Sequence, residues 1–206
     1  MTIAMARPEA LRSDAQRNRT ALLDVARSFL ERGEQPLLNA VAHEAGMGVG
    51  TAYRHFPSQQ HLLEALAIDA LEDMLDLVRV AVALPDAVDA LRGVVTTAFR
   101  SMVDDAALGD LLTNGGFSCA DTAALAGDLV ESVDALLARA RAEGLVRADV
   151  DADDLRRLLC GMRVAAVAGG SRVHDPERYV EVLLAGLRPA DQPPSRPACL
   201  AVRMGA

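Results

Sequence analysis

The chain has 206 residues, 51% of them hydrophobic and 3% aromatic, and carries a net charge of −8 with no lysine. That is enough apolar material for a substantial core, and Ala, Leu, Arg, Glu and Asp dominate where alternating β-branched runs are rare, so an all-α protein is expected. The absence of a secretory leader and of any apolar run of about 18 residues argues against export and membrane insertion and for a cytoplasmic location; Cys119, Cys160 and Cys199 are too few and too scattered for a disulfide frame or zinc spacing.

In chain order, residues 1–13 lack periodicity and read as a flexible basic arm. Arg7, Arg12, Arg17 and Arg19 crowd this end; a merely solvated arm and one that approaches a nucleic-acid backbone or minor groove both fit. Ser13-x-x-Gln16 has the form of a capping box, opening a helix to Arg32 with Leu22, Leu23, Ala26, Phe29 and Leu30 as its apolar stripe. Gly33 ends it. Two short helices follow within Leu38–Phe56. Val41 and Ala42 suit the inner face of the first, with Pro36 placed to open it. Gly46 stands where it would stop, and Gly48 caps the second, about Val49 to His55. Helix, glycine-containing turn, helix is a DNA-reading pattern, although an ordinary surface turn between helices has the same outline.

The second short helix has an informative distribution of side chains. Ala52 and Phe56 share an inward face, which leaves Gly50, Thr51, Arg54 and His55 outward, with Val49 at the start and Tyr53 on the flank. Hydroxyls, a guanidinium and an imidazole on a short rigid element suit phosphates and base edges. Gly50 lets the backbone come close to a duplex. Charge is distributed accordingly: residues 1–56 hold seven Arg against six acids, and residues 57–206 hold fourteen Arg against twenty-three acids.

Pro57-Ser58 breaks and recaps the chain before a long helix carrying Leu62, Leu63, Leu66, Ala70, Leu71, Met74, Leu75 and Val78. This helix is too long for a small head alone and is expected to connect head to body. Leu84-Pro85-Asp86 marks the next boundary. Helices are expected over about Ala87–Val103, Asp121–Glu143 and Ala152–Ala168, with Asp151 capping the third and Asp154 reinforcing its positive end. Gly109 to Gly116 reads as short helix and loop, and Asp175-Pro176 begins a last helix with Tyr179, Val182, Leu183 and Leu187. The prolines after Arg188 mark a tail, residues 189–206.

The run Ala45–Leu66 resembles the TetR family of transcriptional regulators. The residues that carry the resemblance are Ala45-Gly46, Gly50-Thr51, Tyr53-Arg54-His55-Phe56 and Leu62-Leu63, with Leu22, Leu23, Ala26 and Phe29 upstream. The chain departs from the family in having no hydroxyl residue near Leu37 and no lysine at Val49 or near Gln59. The resemblance implies a DNA-binding domain over 14–76 and an effector-binding and dimerisation domain over 77–188. It implies a homodimer, paired through its last two helices, that represses from a palindromic double-stranded DNA operator and is released by a small molecule. Tyr53 and His55 match backbone-contacting positions of the family.

For the body, Phe99, Met102, Phe117 and Met162 are candidate walls of an effector pocket, with Arg100, Asn114 and His174 as its polar groups, although each apolar residue equally suits a plain core. A mainly apolar effector, uncharged or weakly anionic, is expected. Ala165, Ala166 and Ala168 permit close helix approach and Leu183 and Leu187 supply an apolar seam for a dimer; packing within one chain is the alternative. No cofactor or metal is expected, since His43-Glu44 lacks a second histidine at metal-binding spacing. Asp151-x-Asp153-Asp154 superficially resembles an acid motif of terpene cyclases, but helix capping explains it. Besides a DNA-binding regulator, an all-α interaction module that has lost DNA binding and a small helical enzyme share these features.

Overall fold

The computed structural model describes residues 8–167 and 176–189. The expected arm (residues 1–7 of it), Ala168, His174, Asp175 and the tail from 190 lie outside the described residues. Nine helices run through the described residues: α1 (Pro8–Glu31), α2 (Leu38–Glu44), α3 (Val49–His55), α4 (Gln59–Ala83), α5 (Ala87–Asp104), α6 (Ala106–Asn114), α7 (Ala120–Ala142), α8 (Ala152–Val167) and α9 (Pro176–Leu187). None is long and apolar enough to cross a membrane.

Helix α1 starts at Pro8 rather than Ser13. Proline is well placed at a helix start because its fixed φ and missing N–H cost nothing there, so Ser13 lies inside the helix and caps nothing. Leu22, Ala26 and Phe29 bury the stripe that the sequence marks. They meet Val41 and Ala42 of α2, Ala52 of α3 with the adjoining Phe56, and Leu62 and Leu66 of α4 in one apolar cluster. Arg17, one of the arginines crowding this end of the chain, pairs with Asp14 on α1. The guanidinium of Arg19 lies 4.5 Å from the centre of the Phe56 ring, covering the end of α3.

Helix α2 does not open at Pro36. Its N-cap is Leu37, which has no side chain able to cap. The missing acceptor comes from α4: the Leu38 amide donates to Oε1 of Gln59 at 2.9 Å, and Nε2 of Gln59 donates to the Pro36 carbonyl at 2.7 Å. One amide side chain thus closes both sides of the α2 entry from the first residue of another helix.

Helix α4 has 25 residues, about 37 Å. Its cap is Ser58, whose hydroxyl accepts from the His61 amide at 3.3 Å. The first turns pack in the head; Met74, Leu75, Val78 and Ala81 pack in the body. Around it stand α5, α6 and α7; α8 packs against all three of these, and α9 against α5 and α8. Asp86 opens α5 by accepting from the amides of Val88 (2.8 Å) and Asp89 (3.0 Å). Asp151 and Asp154 cap α8 reciprocally, each carboxylate accepting from the other residue's amide.

The Gly109–Gly116 region is the short helix and loop that the sequence indicates, with the loop beginning at Gly115 and Gly109 inside α6. The Arg163 side chain of α8 passes directly over it, so a Cβ on Gly109 would collide with Nε of Arg163. From there Arg163 donates to the Met102 and Ala106 carbonyls and pairs with Asp110. Two more arginines behave alike, Arg139 donating to the Val82 carbonyl at 3.0 Å and Arg156 to the Leu112 carbonyl at 2.6 Å. The last turns of α4, α5 and α6 contain no basic residue, so their exposed carbonyl ends are met by cations from neighbouring helices.

Candidate nucleic-acid interface and effector cavity

The turn between α2 and α3 fixes their relative orientation. Gly46 has φ +67°, a left-handed conformation that other residues rarely adopt. Its amide donates to the His43 carbonyl at 3.0 Å, and the Met47 amide to the Ala42 carbonyl at 2.8 Å. Those paired bonds end α2 and turn the chain into α3. Ala52 is fully buried against the head core, so α3 has one inward face and one outward face.

The outward face carries the residues singled out from the sequence. Val49, Gly50, Tyr53 and Arg54 are exposed, and Thr51 and His55 half-buried. Among the described residues, the side chains of Tyr53, Arg54 and His55 have no hydrogen bond or ion pair within the chain. Most other arginines of the head are engaged: Arg17 with Asp14, Arg27 with Asp24, Arg32 with Glu34 and Glu44. Arg54 therefore presents an uncompensated positive charge, at the end of a face with no acidic residue on its own helix. Nothing lies within 4 Å of where a Cβ on Gly50 would stand, so the chain's own packing does not require glycine there.

The body contains a cavity of about 280 Å³ between α4, α5, α7 and α8. Met74 and Val78 of α4, Val95 and Met102 of α5 and Leu129 and Val133 of α7 are among its walls, as are Gly115 and Phe117 of the α6–α7 segment. Of the residues expected to form a pocket, Met102 and Phe117 line it. Phe99 is fully buried in the core; Met162 packs against the core away from the cavity. Arg100 is at the surface, paired with Glu177 of α9, and Asn114 is exposed at the end of α6.

The cavity's charged groups are Asp153 and Arg156, neither of which the sequence marks as a pocket residue. Nε and Nη2 of Arg156 donate to one Asp153 oxygen at 3.0 and 2.6 Å, and Nη1 to the Leu112 carbonyl. The Arg156 hydrogen bonds hold the Asp153 carboxyl below its ordinary range, and the charge of Arg157 adds to this. The spacing of three between Asp153 and Arg156 marks a pair on one helical face; that it faces a cavity depends on where α6 and α7 pack.

The residues expected at a dimer seam divide. Ala166, Leu183 and Leu187 are buried within their own chain. Arg92–Glu181 and Arg100–Glu177 pairs flank the α5–α9 contact, and the Arg147 amide donates to the Leu187 carbonyl at 2.8 Å. Ala165 is exposed. It shares a face of α8 with Leu158, Gly161 and Val164, all exposed. On α9 a large apolar residue, Val182, is exposed, one position from Leu183.

A family model described as "Bacterial regulatory proteins, tetR family" matches residues 22–66, and one described as "Transcriptional regulator SbtR-like, C-terminal domain" matches residues 86–189. The chain is 34% identical over 154 residues to the HTH-type transcriptional repressor KstR of Mycobacterium tuberculosis, covering 70% of this chain and 68% of that protein. Among solved structures, the TetR transcriptional regulator SCO0520 of Streptomyces coelicolor is 28% identical, with a TM-score of 0.50, over 84% of this chain and 99% of that one. Mycobacterium smegmatis AmtR shares the fold at 21% identity and a TM-score of 0.61, over 84% of this chain and 87% of that one. With the turn, the outward face of α3 and both matched regions in agreement, the chain belongs to the TetR family of DNA-binding transcriptional regulators.

Proposed function

We propose that the protein acts as a homodimeric repressor that leaves a palindromic operator when a mainly apolar small molecule enters the body cavity. The observation that carries this reading is the cavity itself. Its walls are almost wholly apolar, with one Asp–Arg pair at the edge, the make-up of a small-molecule site. Met74 and Val78 in its wall belong to α4, the helix whose other end packs in the DNA-reading head. An occupant that prefers one placement of α4 shifts the heads by the difference in its affinity for the two placements. Dimerisation is assigned to the exposed face of α8 with Val182 of α9. Gly161 and Ala165 allow close approach there, and Leu158 and Val164 supply apolar area.

The test begins with recovery of bound sequences from a random DNA pool, followed by a screen for compounds that release the recovered operator. Met102→Trp fills part of the cavity and is expected to weaken binding of a releasing compound by about tenfold or more, while Met162→Trp leaves it unchanged. Equal affinities for parent and Met102→Trp, by calorimetry, would move the effector elsewhere.

Gly50 gives a second expected result. Gly50→Ala adds a methyl group that meets nothing in the chain, so the head gains up to about 1 kcal/mol from helix propensity. The same methyl stands where the backbone is to approach the duplex, so operator affinity falls. A thermal melt and a binding titration measure the two effects separately; a more stable variant with undiminished affinity would place Gly50 away from DNA.

A further inference from the structure

The carboxylate of Glu64 is 1% exposed and lies on α4, between the reading head and the body. It caps no residue of its own helix. Oε1 accepts from the Ser118 amide at 2.5 Å and Oε2 from the Cys119 amide at 2.9 Å. Cys119 is the N-cap of α7 and has no side-chain cap bond of its own. One turn earlier, Nε2 of Gln60 donates to the Gly116 carbonyl at 2.7 Å. Residues 60 and 64 share a face of α4, so three bonds fasten the α6–α7 segment to the first two turns of that helix. That segment carries Gly115 and Phe117, which line the cavity. The residue before Gln60 is Gln59, which holds both sides of the α2 entry.

We propose that Glu64, assisted by Gln60, is a positioning residue that couples the cavity to the reading head by tying the Phe117 segment to the α4 turn that holds α2. The proposal rests on the cavity being the effector site and names the route by which its state reaches α2 and α3. An occupant that displaces Phe117 pulls on Ser118 and Cys119. Glu64 holds both amides from a buried position, and a buried carboxylate deprived of its donors is costly. The strain passes to the first turn of α4, and Gln59 transmits it to Leu38 and Pro36. In this structure both sets of bonds are satisfied by one placement of α4, and on this proposal that placement is the DNA-binding arrangement.

Coupling is reciprocal, so DNA must act on the loop as an effector acts on DNA. Amide hydrogen exchange of the full chain is measured with and without the recovered operator, and with a random duplex as control. Operator is expected to slow exchange at Ser118 and Cys119 on the order of fivefold relative to the free protein. In Glu64→Gln, whose amide group sets a donor against one of the two N–H groups, this operator-dependent ratio falls towards one even at saturating operator. The ratio, unlike the basal exchange rate, does not respond to a bond that is only structural. Gln60→Ala, which removes one bond and no buried charge, is expected to reduce the ratio in a folded protein and serves if Glu64→Gln does not fold. A loop indifferent to operator in the parent chain, or an undiminished ratio in the variants, overturns the proposal. The assay contains no effector, so an unsuccessful compound screen leaves its outcome untouched, and a loop indifferent to operator leaves cavity binding standing.

Discussion

Leu183→Glu is expected to destabilise each chain severely, while Val164→Glu and Val182→Glu yield folded, helical monomers. Leu183 is 8% exposed in the single chain, and its neighbour Val182 is 67% exposed. A glutamate at 183 loses the burial of a leucine, worth roughly 2–5 kcal/mol, and adds the cost of desolvating a carboxylate with no partner. The glutamates at 164 and 182 stand in water in the monomer and become buried only when two chains meet. Sedimentation and circular dichroism distinguish the cases. Loss of helix in Leu183→Glu with a half-mass, fully helical species in the other two fits the assigned seam. Dimers that survive both Val164→Glu and Val182→Glu would put the interface on another face.

Within the reading helix, Arg54→Ala and His55→Ala are expected to differ in kind. Arg54 is exposed and unpaired among the described residues, and α3 carries no acid to neutralise it. Thr51 lies three positions before it on the same outward face. A guanidinium that bonds a guanine twice contributes roughly 1–3 kcal/mol of discrimination. Arg54→Ala should therefore weaken the recovered operator more than a random duplex and relax preference at one base pair in each half-site. Tyr53 and His55 offer single donors suited to phosphate oxygens, which fix docking without reading sequence. His55→Ala should weaken both duplexes by the same factor. Titrations of both variants at one fixed salt concentration decide the matter. An equal loss on both duplexes for Arg54→Ala would make Arg54 a docking residue and leave base reading to Gly50, Thr51 and Tyr53.

What was legible in the sequence was whatever a few adjacent residues determine. Ser58, Asp86 and the Asp151–Asp154 pair mark helix starts where the structure has them, because a cap and the amides it serves lie within one turn. The two faces of α3 were legible for a similar reason: Ala52 and Phe56 define the inner one, and the outer one follows from periodicity. The misplaced start of α1 is also local, since Pro8 opens the helix five residues before Ser13, but the other misses depend on partners far along the chain. Nothing near Leu37 announces that Gln59 caps α2. Nor does anything near Gly109 announce that Arg163, 54 positions later, occupies the space above it. A period of 3.6 marks Leu183 and Leu187 as one apolar face, but a core of the same chain and a second chain bury such a face equally well. The pocket residues divided likewise: Met102 and Phe99 are both inward on α5, and only the placement of α7 and α8 puts one of them on the cavity wall.

The double engagement of the start of α4 limits where this protein can be recombined with its relatives. A reading head is an attractive unit to graft, since exchanging it would redirect an existing sensor to a new promoter. A seam at Pro57 would give the incoming α2 the host's Gln59, and the entry at Pro36 and Leu38 would have to accept that amide. A seam beyond Leu66 would keep head and Gln59 together but set a foreign side chain at position 64 against the Ser118 and Cys119 amides. Functional chimeras should therefore be confined to donors that carry an amide side chain at the position of Gln59 and a carboxylate at that of Glu64, and the outcome of a graft should follow these two residues more closely than overall similarity.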